Sequence, residues 1–395
     1  MVYGRVAFGA LIGVAALSSD AVAQDRSLTF GLSALVEHNS NVARSNEARA
    51  AFRGVEPEDT IFKPAATIDF FSPVGRQSIF FKGMAGYTFY DRNDQLNREV
   101  LDFNGGVNGR FGPCSGTLSG GYSRGLWLLD DPTLIENVEN IQTTKTASAN
   151  VACSRATGLG LTASVSKDWI ENDLDQLANS DSERTSIMGG ITYTRPALGT
   201  LTLFADRQET TYPNRLFDDG YTLNAYGLTF ARQLGARIQG TVTVAYNKVD
   251  QKTPSFLPAT DDMTTTAYSA ELSYRATSRL RFQGSFDRAV TPTVAVGRSY
   301  DLTEGYRVSG VYDLGSRITV SAGGAWVQRQ SKGLIPETPL ELTDSETTSY
   351  FASIRYQQSK RLSFVLNAGR EERVTNSPQF DYTNNRIGLG ADLSF

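Results

Sequence analysis

Residues 382–395, Tyr-Thr-Asn-Asn-Arg-Ile-Gly-Leu-Gly-Ala-Asp-Leu-Ser-Phe, decide how the rest of the chain is read. Counted back in twos, Phe395, Leu393, Ala391, Leu389 and Ile387 share one face of an extended strand. Ser394, Asp392, Gly390, Gly388 and Arg386 share the other. A period of two is that of a β-strand, and two such different faces need two different surroundings. In a soluble sandwich the apolar face points into a core; in a barrel crossing an outer membrane it points out to lipid.

Other segments choose between these. In 101–111, Leu101, Phe103, Val107 and Phe111 alternate with Asp102, Asn104, Asn108 and Arg110. In 279–287, Leu280, Phe282 and Phe286 alternate with Arg279, Arg281, Gln283 and Asp287. A sandwich core would not accept a row of such charged residues, whereas a water-filled lumen does. Aromatics near strand ends, such as Tyr87, Phe89, Trp169, Tyr246, Trp326 and Tyr356, suit interfacial girdles.

Connections alternate in length. Eight are tight: 72–76, 112–116, 154–160, 195–200, 234–237, 276–279, 314–317 and 358–361, most with Gly, Pro or Ser. Nine are long and polar: 39–59, 91–98, 128–140, 171–182, 208–220, 250–262, 289–297, 330–342 and 371–379. Together they join eighteen strands in an all-β, antiparallel, up-and-down barrel, with short periplasmic turns and long external loops. Segments 140–153, 184–195 and 220–234 alternate poorly, which leaves sixteen as the other count.

Composition agrees. Beyond the N-terminus there is no apolar run of about 18 residues, so spanning helices are not expected. Glycine (36), phenylalanine (21) and tyrosine (17) are abundant, and a net charge of −4 gives no support to nucleic-acid binding. Arg5, the apolar run 6–17 and Ala21-Val22-Ala23 read as a secretory signal over 1–23, cut between Ala23 and Gln24, against a buried N-terminal helix. A single barrel domain then occupies 24–395. Export makes a disulfide possible: Cys114 and Cys153 fall at the same end of neighbouring strands, so a bond is expected, against two unpaired thiols. No cofactor or metal is expected, since no histidine lies near the cysteines. The one histidine, His38, stands close to Ser33, Glu37 and Ser40, which is slender support for catalysis.

The alternation turns Lys82, Asp102, Arg110, Asp206, Arg237, Glu271, Arg275, Arg279, Arg281, Asp287, Arg307, Arg317, Arg355 and Arg361 into the lumen. Arginines gather near the short turns, and acids such as Glu56, Glu58, Asp59, Asp130, Asp131, Asp218, Asp219, Asp261 and Asp262 gather in the loops. One reading is a pore favouring anionic solutes or chains entering from the periplasm. The plainer reading is a solvated wall with internal ion pairs such as Glu271 with Arg281. Phe80, Phe204, Tyr226 and Phe351 could stack on sugar rings or support an infolded loop. In the loops, 46–53 has helix-forming composition. Residues 126–129 with Leu134 and Ile135 either constrict the mouth or pack on a neighbouring loop or protomer.

Three tracts carry a resemblance: Asn39-Ser40-Asn41-Val42, Asp59-Thr60-Ile61-Phe62-Lys63-Pro64-Ala65, and Tyr87-Thr88-Phe89-Tyr90-Asp91-Arg92. With the strand pattern, the chain resembles the Putative beta-barrel porin 2 family of proteobacterial outer-membrane proteins. That resemblance implies a Gram-negative outer-membrane barrel linked to exopolysaccharide loci and polysaccharide secretion, with no catalytic motif. The closing Phe395 resembles the terminal assembly signal of such barrels. Expected partners are outer-membrane lipid and lipopolysaccharide, the barrel-assembly machinery and polysaccharide export components. Two functions follow: a porin-like channel for hydrophilic solutes or saccharide chains, or a closed barrel that docks periplasmic export partners.

Overall fold

The computed structural model describes residues 26–126, 140–216, 220–252, 263–292, 300–332 and 343–395. The signal segment with Ala23 and Gln24, the 127–135 part of the apolar loop and the acids at 130, 131, 218, 219, 261 and 262 lie outside them.

Eighteen strands follow one another: β1 (Ser27–Asn39), β2 (Asp59–Val74), β3 (Gln77–Tyr90), β4 (Arg98–Phe111), β5 (Cys114–Leu126), β6 (Ile141–Cys153), β7 (Gly158–Asn172), β8 (Ser182–Arg195) and β9 (Gly199–Thr211). The second half holds β10 (Tyr221–Leu234), β11 (Ile238–Gln251), β12 (Met263–Arg275), β13 (Leu280–Pro292), β14 (Tyr300–Leu314), β15 (Ile318–Lys332), β16 (Asp344–Gln357), β17 (Leu362–Thr375) and β18 (Tyr382–Ser394). Each pairs antiparallel with the next, and β1 pairs with β18, so the sheet closes on itself. Closure matters because an open edge in lipid leaves backbone groups without partners. The count is eighteen, and the three poorly alternating segments are β6, β8 and β10. Several strands run a few residues further into the long connections than the alternation marks: β17 reaches Thr375 and β13 reaches Pro292.

The tight connections are two to four residues long. Gly75 and Gly112 take φ of 63° and 62° at the first central position of two-residue turns, the conformation a type II′ hairpin reserves for glycine.

The faces divide as the sequence requires. On β1, Leu32, Ala34 and Val36 lie opposite Leu393, Ala391 and Leu389 of β18, and Leu32 and Leu389 are 54% and 62% exposed. These are lipid-facing side chains. A lower aromatic level includes Tyr274, Phe282, Tyr312 and Tyr356. An upper one runs Tyr268, Phe286, Tyr306, Trp326, with ring centroids 4.8, 4.4 and 5.3 Å apart. Rings at both levels suit the two interfaces of a bilayer.

Cys114 and Cys153 stand directly opposite each other on β5 and β6, at the periplasmic end of the outer face, and are bonded. The bond closes a 39-residue separation. Replacing both by serine is expected to reduce unfolding stability by up to about 4 kcal/mol while leaving insertion intact. The urea midpoint of detergent-refolded protein measures this. An unchanged midpoint would mean that strand pairing alone already confines the loop.

Candidate functional site

The lumen is the site, and its wall is built by every second residue of each strand. Lys82, Asp102, Arg110, Asp206, Glu271, Arg275, Arg281, Asp287, Arg307 and Arg355 stand on the inner face. Arg237, Arg279, Arg317 and Arg361 do not; they occupy the tight turns, which puts them on the periplasmic rim below the wall.

Inward charges are largely paired. Lys82 meets Asp69 at 3.3 Å, Arg281 meets Asp313 at 3.2 Å, and Arg355 meets Asp392 at 2.8 Å. Asp206 accepts from Ser186 at 2.8 Å and from Gln208 at 2.6 Å. The Glu271–Arg281 pair expected from sequence is replaced: Glu271 of β12 faces Ser285, and Arg281 of β13 reaches the other way, to Asp313 of β14. Higher up, Arg184 grips Asp168 through two nitrogens at 2.7 and 3.0 Å. Among the described strands, inward acids balance inward cations. Positive charge is in excess only at the rim, where the turns hold Arg76, Arg155, Arg237, Arg279, Arg317, Lys360 and Arg361 and no acid.

The wall also has two halves. Below their upper ends, β5 to β11 present mainly hydroxyls, amides and small residues. Ser119 bonds Ser148 at 2.8 Å, Thr229 bonds Thr243 at 3.0 Å, and Thr192 bonds Thr202 at 3.2 Å. The charged pairs sit mostly on the other half, β12 to β18 and β1 to β4. Cross-strand hydroxyl pairs make a polar surface without fixed charge.

Three of the four candidate aromatics face inward. Phe80, Phe204 and Phe351 each lie across a glycine of a neighbouring strand, Gly106, Gly227 and Gly323. The ring covers the gap that the missing side chain leaves. Phe204 is 8% exposed, packed with Ala225, Ala245 and Ala267, so its ring is wall rather than ledge. Phe80 and Phe351 stay half-buried. Tyr226 is a correction: it stands opposite Ala205 and Tyr246, faces lipid and is 60% exposed. Poor alternation in β10, with Ala225 and Gly227 on the inner face, hid the parity.

Two structures narrow the mouth. The first is the connection 40–58. Asn46 caps the helix α1 (Glu47–Phe52), accepting from the Arg49 N–H. Val42, Ala43, Ala50 and Val55 bury against Ile61 and Leu96, with Tyr90 and Leu126 alongside. Asp59 ties in the neighbouring loop by accepting from the backbone N–H of Asp91, Arg92 and Asn93 at 3.0–3.1 Å. Arg44 reaches Glu371 at 3.6 Å, and Arg49 lies over the Phe380 ring at 4.3 Å. The tracts 39–42 and 59–65 thus anchor a cap over β17, β18 and β1 to β3.

The second was not visible from periodicity. β12 and β13 pair only from Tyr268–Arg288 down to Arg275–Arg281. Above that, each keeps its other neighbour but not its mate. The upper end of β13 and β14 turns inside the wall. Val290, Tyr300 and Leu302, which would face outward by parity, pack instead on Tyr221, Leu223, Val249 and Met263 of the inner wall. The Tyr221 and Tyr300 rings are 5.8 Å apart, and the Tyr300 hydroxyl touches the Met263 sulfur. The other face of the tucked segment is also buried, with Thr291 bonded to Thr303 and Asp301 accepting from Ser331. The barrel rolls over itself here like a scroll. One signal existed: Val290, Tyr300 and Leu302 are apolar beyond Arg288 and Glu304, where a strand should already be in water.

His38 lies on the outer face, 3.7 Å from Glu58, whereas Ser33 and Glu37 face inward.

A closed eighteen-stranded barrel with a lipid-facing apolar belt and a polar lumen is a porin-like protein of the Gram-negative outer membrane. Residues 204–395 match the family described as Putative beta-barrel porin 2. The tracts that first carry the resemblance, between 39 and 92, precede that range. No curated protein matches the chain. Similar solved structures include Pseudomonas aeruginosa OccK2 (OpdF), 14% identical with TM-score 0.48, covering 94% of this chain and 100% of that one. Acinetobacter baumannii OccAB3 is 10% identical with TM-score 0.49, covering 94% and 99%. A BenF-like porin from Pseudomonas fluorescens Pf-5 is 12% identical with TM-score 0.48, covering 94% and 99%.

Proposed function

We propose that the barrel conducts hydrophilic solutes, saccharide chains above all, and serves exopolysaccharide export and not catalysis. The observation that carries this reading is the divided lumen. A wall of hydroxyls and amides on β5 to β11 faces a wall of paired charges, and the rim on the periplasmic side is basic. Hydroxyl-rich surfaces exchange hydrogen bonds with sugars at little net cost, so a chain can slide without being trapped. A basic entrance gathers anionic chains at low ionic strength. The family resemblance supports the export link.

Planar-bilayer recording tests it. Stable conductance steps are expected, with modest anion preference that shifts toward cations when Arg279 and Arg281 are both changed to glutamate. Cation preference in the native protein, unmoved by that change, would remove the anionic-substrate part. The genes beside this one supply a second check, since a sugar-catabolic neighbourhood would favour uptake.

A second reading rests on the mouth. The cap at 40–58 and the tucked β13–β14 favour a closed barrel whose basic rim docks periplasmic export partners. Absence of any conductance step would select it.

A further inference from the structure

Four consecutive hairpins of the second half turn on the same short pattern. Gly235-Ala236-Arg237-Ile238, Thr277-Ser278-Arg279-Leu280, Gly315-Ser316-Arg317-Ile318 and Ser359-Lys360-Arg361-Leu362 each place an arginine just before the first outward apolar residue of a strand. Each arginine carries the ladder one residue below its strand. The carbonyls of Arg237, Arg279, Arg317 and Arg361 accept from the N–H groups of Arg275, Asp313, Gln357 and Ser394 at 2.7–2.9 Å. Those four partners have inward parity, so the arginine side chains leave the rim on the lumen side and not toward lipid.

At one place the register sets these side chains against others of the same charge. Arg237 lies opposite Arg275, and Arg275 lies opposite Arg281, so three neighbouring strands, β11 to β13, put arginines in one row. Arg279 follows two residues below Arg281 on the same face. Opposed positions on neighbouring strands stand about 5 Å apart, and like charges there destabilise a sheet pair. The carboxylate beside the row, Asp313, is already held by Arg281 at 3.2 Å and by the Thr319 hydroxyl at 3.0 Å. Arg237, Arg275 and Arg279 are exposed, with no acid within 4 Å among the described residues. Glu271, the next inward acid on β12, is four residues up, about 13 Å away. At the next two hairpins the arginine faces Gln357 and Ser394 instead. Stability therefore does not explain the row, whereas a ligand that neutralises it does.

A carboxylate carries one charge and fills one guanidinium fork, whereas a phosphate monoester carries nearly two and offers three oxygens. The second matches a row of three. We propose, on the reading of the lumen as a path for anionic chains, that Arg237, Arg275 and Arg281 bind a phosphate monoester on the end of a saccharide at the periplasmic mouth. Glucose 1-phosphate, galacturonate and glucose are the probes, titrated by calorimetry into detergent-folded full-length protein at low ionic strength. The native protein is expected to bind glucose 1-phosphate at one site, at least about tenfold more tightly than galacturonate, since one further charge-assisted contact is worth about a factor of ten. Glucose is expected not to bind. Arg237→Gln/Arg275→Gln is expected to lose the phosphate preference. Arg317→Gln/Arg361→Gln removes the same charge from the same rim and is expected to keep it. Equal binding of the phosphate and carboxylate sugars by the native protein overturns the proposal and needs no variant to fold. Equal loss in the two double variants also overturns it, by making the effect one of diffuse charge. Soluble dihexanoyl phosphatidate binding in place of glucose 1-phosphate overturns the saccharide assignment. A protein that binds but passes no current loses the channel and keeps the site; one that conducts without the phosphate preference loses the site alone.

Discussion

Deleting Phe395 is expected to cut folded, inserted barrel in the outer membrane at least about tenfold, with the remainder degraded or unfolded in the periplasm. β18 holds β1 through nine residue pairs, from Gly31–Ser394 to Asn39–Arg386, and the Phe395 N–H then donates to the Phe30 carbonyl at 2.8 Å. The Phe395 side chain is 60% exposed beside the lipid-facing residues of β1 and β18. Losing the residue removes one backbone bond of about 1 kcal/mol and the transfer of an aromatic ring worth about 2–3 kcal/mol. Both losses fall on the pair that closes the cylinder, which has the largest loop to close. Heat-modifiable electrophoretic mobility of outer-membrane fractions measures the folded share. Normal abundance of correctly inserted protein lacking Phe395 would refute the assembly role, whereas a normal amount with altered conductance would assign the residue to transport.

How far the sequence reaches is set by which physical constraint repeats. Lipid outside and water inside act on every strand alike, so parity is stated eighteen times over and one weak strand is carried by its neighbours. That is why β6 and β8 could be placed although their own alternation is poor. Lys82, Arg281 and Asp287 could be assigned to the lumen without any contact being known. Parity does not tell who pairs with whom across strands. Arg281 chooses Asp313 over Glu271 because register, fixed by turn length, decides which carboxylate lies within reach. Turn length also moved Arg237, Arg279, Arg317 and Arg361 from wall to rim. Tyr226 failed for another reason. An aromatic on a strand whose inner face is Ala225 and Gly227 looks like the polar side of a weak pattern, and only pairing to Tyr246 corrects it. Beyond the membrane the repeating constraint stops. There Val290 and Tyr300 are free to turn inward, and a rule derived from lipid contact no longer applies.

The tucked mouth yields the other large expected effect. Replacing Val290 by threonine together with Tyr300 by serine should roughly double single-channel conductance. Eighteen strands spaced about 4.8 Å apart and tilted about 40° give a backbone cylinder about 36 Å across, and a second layer inside it takes about 10 Å of that width. With side chains lining both walls, the second layer removes roughly half the open area at the mouth. What holds it is apolar: Val290 is 5% exposed, and Tyr221, Tyr300 and Val249 are 1% exposed or less. Burying the two replaced side chains is worth roughly 4–5 kcal/mol. Against it stand the backbone bonds that β12 and β13 forgo above Tyr268 and Arg288, a handful at about 1 kcal/mol each in contact with water. The balance is therefore close, and the double substitution should tip it. The alternative state is specified by the existing register, which carries Ala267 opposite Ala289, Thr266 opposite Val290 and Thr265 opposite Thr291. Pro292, facing Thr264, has no N–H to contribute and ends the pairing. Cysteines at 267 and 289 would then report the zipped wall directly, since the native cysteines are already bonded to each other. Under mild oxidant the pair should cross-link slowly in the otherwise native protein and several-fold faster when Val290 and Tyr300 are also replaced. Conductance should rise with the cross-linked fraction. If the cross-link forms and conductance does not change, the tuck is not what limits the pore, and the cap at 40–58 must be.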